Sequence, residues 1–101
     1  MKLLIITCIK EYKDDTVRLF KNAKITAFSN TDINGFKTSD AENLISNWFS
    51  SSTDNVKSIL FFTFTEIEKI DVLLKEVKSF NDQIDSDNPL RAIVLDIEKF
   101  V

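Results

Sequence analysis

The order of strand-forming and helix-forming segments is the feature that most constrains the fold of this chain. Four segments are rich in Ile, Val, Leu, Phe or Thr, which favours β-structure; they are Lys2–Ile9, Lys24–Ile33, Val56–Phe64 and Arg91–Phe100. A helical pattern follows the first strand, at about Asp14–Ala23, and another runs from Thr65 to about Phe80. The chain is therefore predicted to contain two consecutive strand–helix–strand units.

Polar residues at the start and apolar residues at helical spacing support both helices. The carboxylates of Asp14 and Asp15 suit the N-terminus of the first helix. Thr65 and Glu68 have the spacing of a capping box before the second. Apolar residues then recur along one side of that helix; they are Ile67, Ile70, Leu73, Leu74 and Val77.

Two strand–helix–strand units with right-handed crossover connections predict one fold class. It is an α+β, ferredoxin-like βαββαβ sandwich, in which a four-stranded antiparallel sheet carries both helices on one face. No linker or low-complexity block interrupts the pattern, so residues 1–101 are expected to form a single domain.

Both faces of the predicted sheet carry large apolar side chains. Leu3 and Ile5 alternate with Leu4 and Ile6, and the side chains of successive strand residues point to opposite faces. Two helices can cover only one face, and a monomer rarely exposes so large an apolar patch on the other. Self-association is the simplest way to bury the second face. The alternative is that the strand ends are twisted or partly solvated.

The composition excludes several classes of function. The chain has 13 basic and 16 acidic residues, a net charge of −3, so it has no positive excess for binding nucleic acid. It contains no histidine, which excludes imidazole catalysis and most zinc sites. The single cysteine, Cys8, lies in an apolar run and is expected to pack within a strand. No pair of acids forms a recognisable catalytic motif, so we expect no enzymatic activity.

The apolar run at the N-terminus, Met1–Ile9, is too short to span a bilayer. It also lacks the small-residue cleavage site of a secretory signal. We therefore interpret it as a buried strand of a cytoplasmic protein that does not insert directly into a membrane.

A short extra helix is predicted between the second and third strands, at about Ser39–Phe49. Ser39 and Glu42 have capping-box spacing, and apolar residues follow at positions i, i+3, i+4, i+7 and i+8; they are Ala41, Leu44, Ile45, Trp48 and Phe49. This stripe either packs onto the domain or a neighbouring subunit, or presents Leu44, Trp48 and Phe49 to a partner protein.

The only glycine of the chain, Gly35, lies just before this segment, in Asn34-Gly35-Phe36. Two interpretations stay open. The glycine supplies a positive φ angle in a turn, or it lets a ligand approach the backbone closely.

Three stretches of the sequence resemble the PII (nitrogen regulatory protein P-II) signal-transduction family. KDDTVRLFKNAKITAFSNTDINGFK, which starts at Lys13, resembles the family's DDV-type helix, its I-T strand and its T-E-V-K-G-F-G segment. VKSILFFTFTEIEKIDVLLKEVKSF resembles the next strand and helix, and RAIVLDIEKFV resembles the last strand. Element order and predicted topology agree with the resemblance.

The resemblance implies a homotrimer of ferredoxin-like subunits that binds ATP or ADP in clefts between subunits and inserts a T-loop into its targets. Gly35 and Phe36 match the base of that loop, and Arg91 matches the basic residue that ends the family's phosphate loop. Lys37 and Arg91 are candidates for holding an anion. Where the family has a glycine-rich phosphate loop, this chain has Asn88-Pro89-Leu90.

The resemblance therefore implies a divergent regulatory or adaptor protein, in which the short helix replaces the T-loop. Such a protein senses a small ligand, with ATP, ADP or AMP as candidates, or binds a membrane transporter. The alternative is a trimeric divalent-metal tolerance protein similar to CutA, for which carboxylates of the polar turn are the candidate ligands; they are Asp82, Asp85 and Asp87.

Overall fold

The computed structural model describes residues 1–36, 56–85 and 87–101. Its elements are β1 (Lys2–Ile9), α1 (Lys13–Asn22), β2 (Ser29–Gly35), β3 (Val56–Thr65), α2 (Ile67–Gln83) and β4 (Arg91–Asp96), with a 3-10 turn at Lys10–Tyr12 before α1. The four strands pair antiparallel in one sheet, in the order β2-β3-β1-β4. The predicted α+β, ferredoxin-like fold is confirmed. The extra helix predicted at about Ser39–Phe49 lies outside the described residues.

Both helices pack on one face of the sheet and form a single core with it. Alternate residues of β1 and β3 supply the sheet side, since Ile6 is opposite Phe61 and Cys8 is opposite Ile59. Phe20 of α1 is fully buried between the layers, with its ring 4.3 Å from that of Phe28 and 5.6 Å from that of Phe61. The expectation that Cys8 packs within a strand is confirmed, because its side chain is buried.

The second strand begins later than predicted because α1 ends in a compact backbone motif. Lys24 has a φ angle of 60°. Its N–H donates to the carbonyl of Lys21 at 2.9 Å, and the N–H of Ile25 donates to the carbonyl of Phe20 at 3.0 Å. These two bonds define a Schellman motif, in which glycine is the usual residue at the position that Lys24 occupies. The residues after Lys24 form a loop, and β2 starts only at Ser29.

Three further local predictions were wrong. Gly35 does not have a positive φ angle; it is the last residue of β2 and is paired with Val56, so the turn interpretation fails. Helix α2 is capped by Glu66 without a side-chain hydrogen bond, so Thr65 and Glu68 form no capping box. Strand β4 ends at Asp96 and does not extend to Phe100.

Candidate functional site

An open surface pocket of about 420 Å³ lies where β2 begins beside the end of β3. Its wall combines aromatic rings with hydroxyl groups; the lining residues are Thr26, Ala27, Phe28, Ser29, Phe62, Thr63 and Phe64. We call it the aromatic pocket. Its volume lies in the range of about 300–1,000 Å³ that small-molecule sites usually have.

Contacts with the core hold the walls of the aromatic pocket in place. The hydroxyl of Thr63 donates a hydrogen bond of 2.7 Å to the carbonyl oxygen of Ala27, which ties the loop before β2 to β3. Phe28 stacks on the buried ring of Phe20. Phe62 and Phe64 meet edge to face, with their ring centroids 6.3 Å apart. Aromatic walls with a few hydroxyl groups suit a flat heterocyclic ring.

The face of the sheet that the helices leave uncovered is apolar, as the sequence predicted. Residues on this open face are paired across the strands, with Leu3 opposite both Phe64 and Leu95. The open face includes the apolar residues Leu3, Ile5, Leu60, Phe62, Phe64, Ile93 and Leu95, together with Thr7 and Arg91. Phe64 is 54% exposed and Leu95 is 45% exposed. Because Phe62 and Phe64 also line the aromatic pocket, the pocket adjoins the open face through these two rings.

The residues predicted to bind a ligand do not come together within one chain. Gly35 is buried at the end of β2, and Phe36, which follows it, is 65% exposed. Arg91 begins β4, opposite Thr7. Strands β2 and β4 are the two edges of the sheet, so three inter-strand spacings of about 4.8 Å, roughly 14 Å in all, separate them. The other predicted site residues, Lys37, Leu44, Trp48 and Phe49, lie outside the described residues.

A side-chain clamp holds the loop that leads to Arg91. The Nδ2 atom of Asn81 donates to the carbonyl oxygen of Leu90 at 2.9 Å, and the N–H of Leu90 donates to the Oδ1 atom of Asn81 at 2.8 Å. The amide of Asn81 thus pairs with both backbone groups of a buried residue, much as a neighbouring strand would. Sequence reasoning missed this contact and the aromatic pocket. Phe28-Ser29 and the run Phe61–Phe64 were the available signals for the pocket.

The ionisable groups of the described residues do not suggest catalysis. Burial raises the pKa of the Cys8 thiol, and a hydrogen bond with Thr16 offsets this only in part. The ammonium group of Lys2 lowers the pKa of the exposed Asp96 carboxyl. Within residues 1–36, 56–85 and 87–101 no three His, Cys, Asp or Glu side chains are grouped as metal ligands, and this includes Asp82, Asp85 and Asp87. Neither helix of the described ranges is long and apolar enough to cross a membrane.

No protein-family model matches the chain, and no curated protein matches it. Solved structures do. One is CPII, a nitrogen regulatory PII-like protein from Thiomonas intermedia K12, bound to ADP, AMP and bicarbonate; it has a TM-score of 0.62 and 12% identity, over 99% of this chain and 94% of that one. A second structure is CPII from the same organism bound to ADP, AMP and acetate. It has a TM-score of 0.60 and 17% identity, over 95% of this chain and 84% of that one. At such identities the likeness establishes the fold, and the chain has the fold of PII-like proteins.

Proposed function

We propose that this chain is a divergent PII-like regulatory or adaptor protein, which acts in the cytoplasm as a homotrimer and binds an adenine nucleotide between its subunits. The observation that carries the proposal is that the aromatic pocket adjoins the uncovered apolar face of the sheet. A ligand in the pocket and a subunit on the open face would then contact each other. Binding of the ligand would be coupled to the assembly.

The open face supports self-association on energetic grounds. Fully burying a large apolar side chain is worth about 1.5–3 kcal/mol. The side chains of Phe64, Ile93 and Leu95 are between 38% and 54% exposed, so covering them would contribute roughly 1 kcal/mol each in every subunit. The partly buried neighbours of these residues would add to this.

The positions of the ligand-binding candidates favour a ring over a two-fold dimer. Gly35 and Phe36 lie at one edge strand and Arg91 at the other. Side-by-side contact between opposite edges of identical subunits is a head-to-tail contact, and such contacts form a ring when the rotation closes. In the proposed trimer, the β2 edge of one subunit therefore faces the β4 edge of the next.

The chemistry of the two regions supports an adenine nucleotide as the ligand. The aromatic pocket would hold the base against Phe62 and Phe64, with Ser29 offering a hydroxyl group. Arg91 would supply the positive charge for phosphate groups across the subunit boundary. The CPII structures with the same fold were solved with ADP and AMP bound. The absence of histidine from the chain and the buried Cys8 support a binding protein over an enzyme.

Assembly is tested by sedimentation at micromolar concentration with a matched pair of variants. Leu95 on the open face is 45% exposed, and Val72 on the helical face is 46% exposed. Leu95→Asp should yield monomers, since a charge cannot be buried without a partner, whereas Val72→Asp should sediment as the unmodified protein does. If the unmodified protein sediments as a monomer, the proposed trimer is refuted.

Nucleotide binding is tested by thermal shift with ATP, ADP and AMP. A ligand that binds only the folded state raises the melting temperature, and we expect a saturable rise. Arg91→Gln should weaken the binding of ATP more than the binding of AMP, because the lost charge acts at the phosphate end of the ligand. Lys69→Gln, an exposed change on α2, should leave both responses intact. If the trimer responds to none of the three nucleotides, nucleotide binding is refuted and the adaptor role remains.

The proposed partner is a membrane transporter that docks on Leu44, Trp48 and Phe49. Replacing Trp48 and Phe49 by alanine should leave the sedimentation of the trimer unchanged and weaken binding of the transporter. A fall to monomers would instead assign these two side chains to the interior of the assembly.

A further inference from the structure

Asn81, in the last turn of α2, fixes the point at which the chain enters β4. Its side-chain amide donates to the carbonyl oxygen of Leu90 at 2.9 Å and accepts from the N–H of Leu90 at 2.8 Å. The contact therefore engages both the amino group and the oxygen of the asparagine amide. The position of the Leu90 backbone is set by the end of α2.

The end of α2 is itself anchored in the fold. Phe80, the residue before Asn81, packs against the core and meets the ring of Tyr12 edge to face, with the centroids 5.4 Å apart. The N–H of Ile84 donates to the carbonyl oxygen of Phe80 at 3.1 Å and closes the last turn of the helix. The Asn81 side chain thus projects from a fixed base.

The register of β4 decides which face of the sheet carries Arg91. β4 is an edge strand of the described sheet, and Arg91, its first residue, is opposite Thr7 of β1. Arg91 lies on the open face, whereas Leu90 and Ala92, on either side of it, pack within or against the core. A shift of a strand by one residue moves every side chain to the other face. A clamp on the residue directly before Arg91 opposes such a shift.

The same clamp removes a backbone donor from the segment that resembles the phosphate loop. A glycine-rich loop binds phosphate with successive backbone N–H groups, and this chain has Asn88-Pro89-Leu90 in its place. Pro89 has no N–H group, and the N–H of Leu90 is bonded to Asn81. Neither residue offers its backbone to a phosphate group, so the contact falls to the side chain of Arg91.

We propose that Asn81 is a positioning residue for the phosphate end of the nucleotide and that it acts through Arg91. The inference rests on the nucleotide binding proposed above and extends it to a residue that does not itself contact the phosphate groups. A side chain whose backbone is already fixed loses less freedom on binding, and a binding group keeps its geometry only when neighbouring residues support it. Asn81 gives Arg91 that support from α2.

The test is a double-mutant cycle on the binding of ATP and AMP, measured by calorimetry below the melting temperature of every variant. Arg91→Gln and Asn81→Ala should each weaken the binding of ATP by about tenfold and the binding of AMP by less. Because Asn81 acts through Arg91, the double variant should bind ATP as Arg91→Gln does. Additive losses in the double variant, or unchanged ATP binding by Asn81→Ala, would overturn the proposal.

A loss of stability alone does not produce this pattern, because it weakens the binding of both nucleotides equally. Asn81→Asp is the second variant, for use if Asn81→Ala does not fold. Its carboxylate still accepts from the N–H of Leu90 but has no donor for the carbonyl oxygen. Asn81→Asp should weaken the binding of ATP, and Gln83→Ala in the same turn should not. Full ATP binding by Asn81→Asp would contradict the positioning role.

The register of β4 is measured without nucleotide. Nuclear Overhauser contacts between the backbones of Arg91 and Thr7 should be present in the unmodified protein and weakened in Asn81→Ala, and unchanged contacts would count against the proposal. If Arg91→Gln binds ATP as tightly as the unmodified protein does, the proposed nucleotide site is itself wrong. If Arg91→Gln weakens the binding of ATP and the Asn81 variants do not, the nucleotide site stands and the positioning role is refuted.

Discussion

Replacement of Asn81 by alanine is the sharpest test of how the loop before β4 is held. The side-chain amide of Asn81 makes both polar contacts with the backbone of Leu90, at 2.9 Å and 2.8 Å. Leu90 itself is 1% exposed. Alanine therefore leaves an N–H group and a carbonyl group of a buried residue without their partner.

The expected loss of stability follows from these two groups. A buried polar group that loses its hydrogen-bond partner costs about 1–3 kcal/mol, so the two together cost roughly 2–6 kcal/mol. Both bonds are only partly buried, which favours the lower half of that range. Alanine is also the better helix former at position 81, by about 0.5 kcal/mol. We expect a net loss of about 2–3 kcal/mol in the free energy of unfolding.

Urea unfolding of the two proteins, at equal protomer concentration, measures this difference by linear extrapolation. Gln83→Ala is the matched control in the same last turn of α2, because within the described ranges the Gln83 side chain makes only an exposed 3.4 Å contact with Ser79. The control should change the free energy of unfolding by less than about 0.5 kcal/mol. A loss below about 1 kcal/mol in Asn81→Ala would show that water replaces the clamp, and the reasoning would fail.

Three other predictions concern single residues. Lys24→Gly should stabilise the fold by about 0.5–1 kcal/mol in urea unfolding, because Lys24 has a φ angle of 60° that glycine adopts without strain; glycine at Lys21, inside α1, should instead destabilise it by about 1 kcal/mol. Lys2 lowers the folded-state pKa of Asp96, so any stability advantage over Asp96→Asn should be present at neutral pH and disappear as the pH falls through the folded-state pKa; an advantage that persists in acid would contradict this origin. Because burial raises the pKa of the Cys8 thiol, iodoacetamide should modify Cys8 only after unfolding, as mass spectrometry would show.

The order of the elements was predictable because it depends on local patterns. Strand β1 was predicted with its observed bounds, Lys2–Ile9, and both faces of the sheet were correctly predicted to be apolar. Successive side chains of a strand point to opposite faces by geometry alone, so a strand whose neighbouring residues are all apolar presents apolar side chains on both faces. The sequence also indicated, through a resemblance spread over most of its length, the PII-like fold that the solved structures share.

The tertiary structure alone decided the details at the ends of the elements and the shape of the sites. The left-handed backbone at Lys24 depends on packing of the α1 end against the core. Lysine has no local preference for this conformation, so the sequence does not indicate it. Ser29 meets Phe62 only through the pairing of β2 with β3. Asn81 finds Leu90 only because α2 returns the chain to the edge of the sheet. Residue type and spacing therefore determined which faces of the strands and helices are apolar. Contacts between distant segments determined which side chains share a pocket, because the distance between two side chains in the folded chain does not follow from their separation in the sequence.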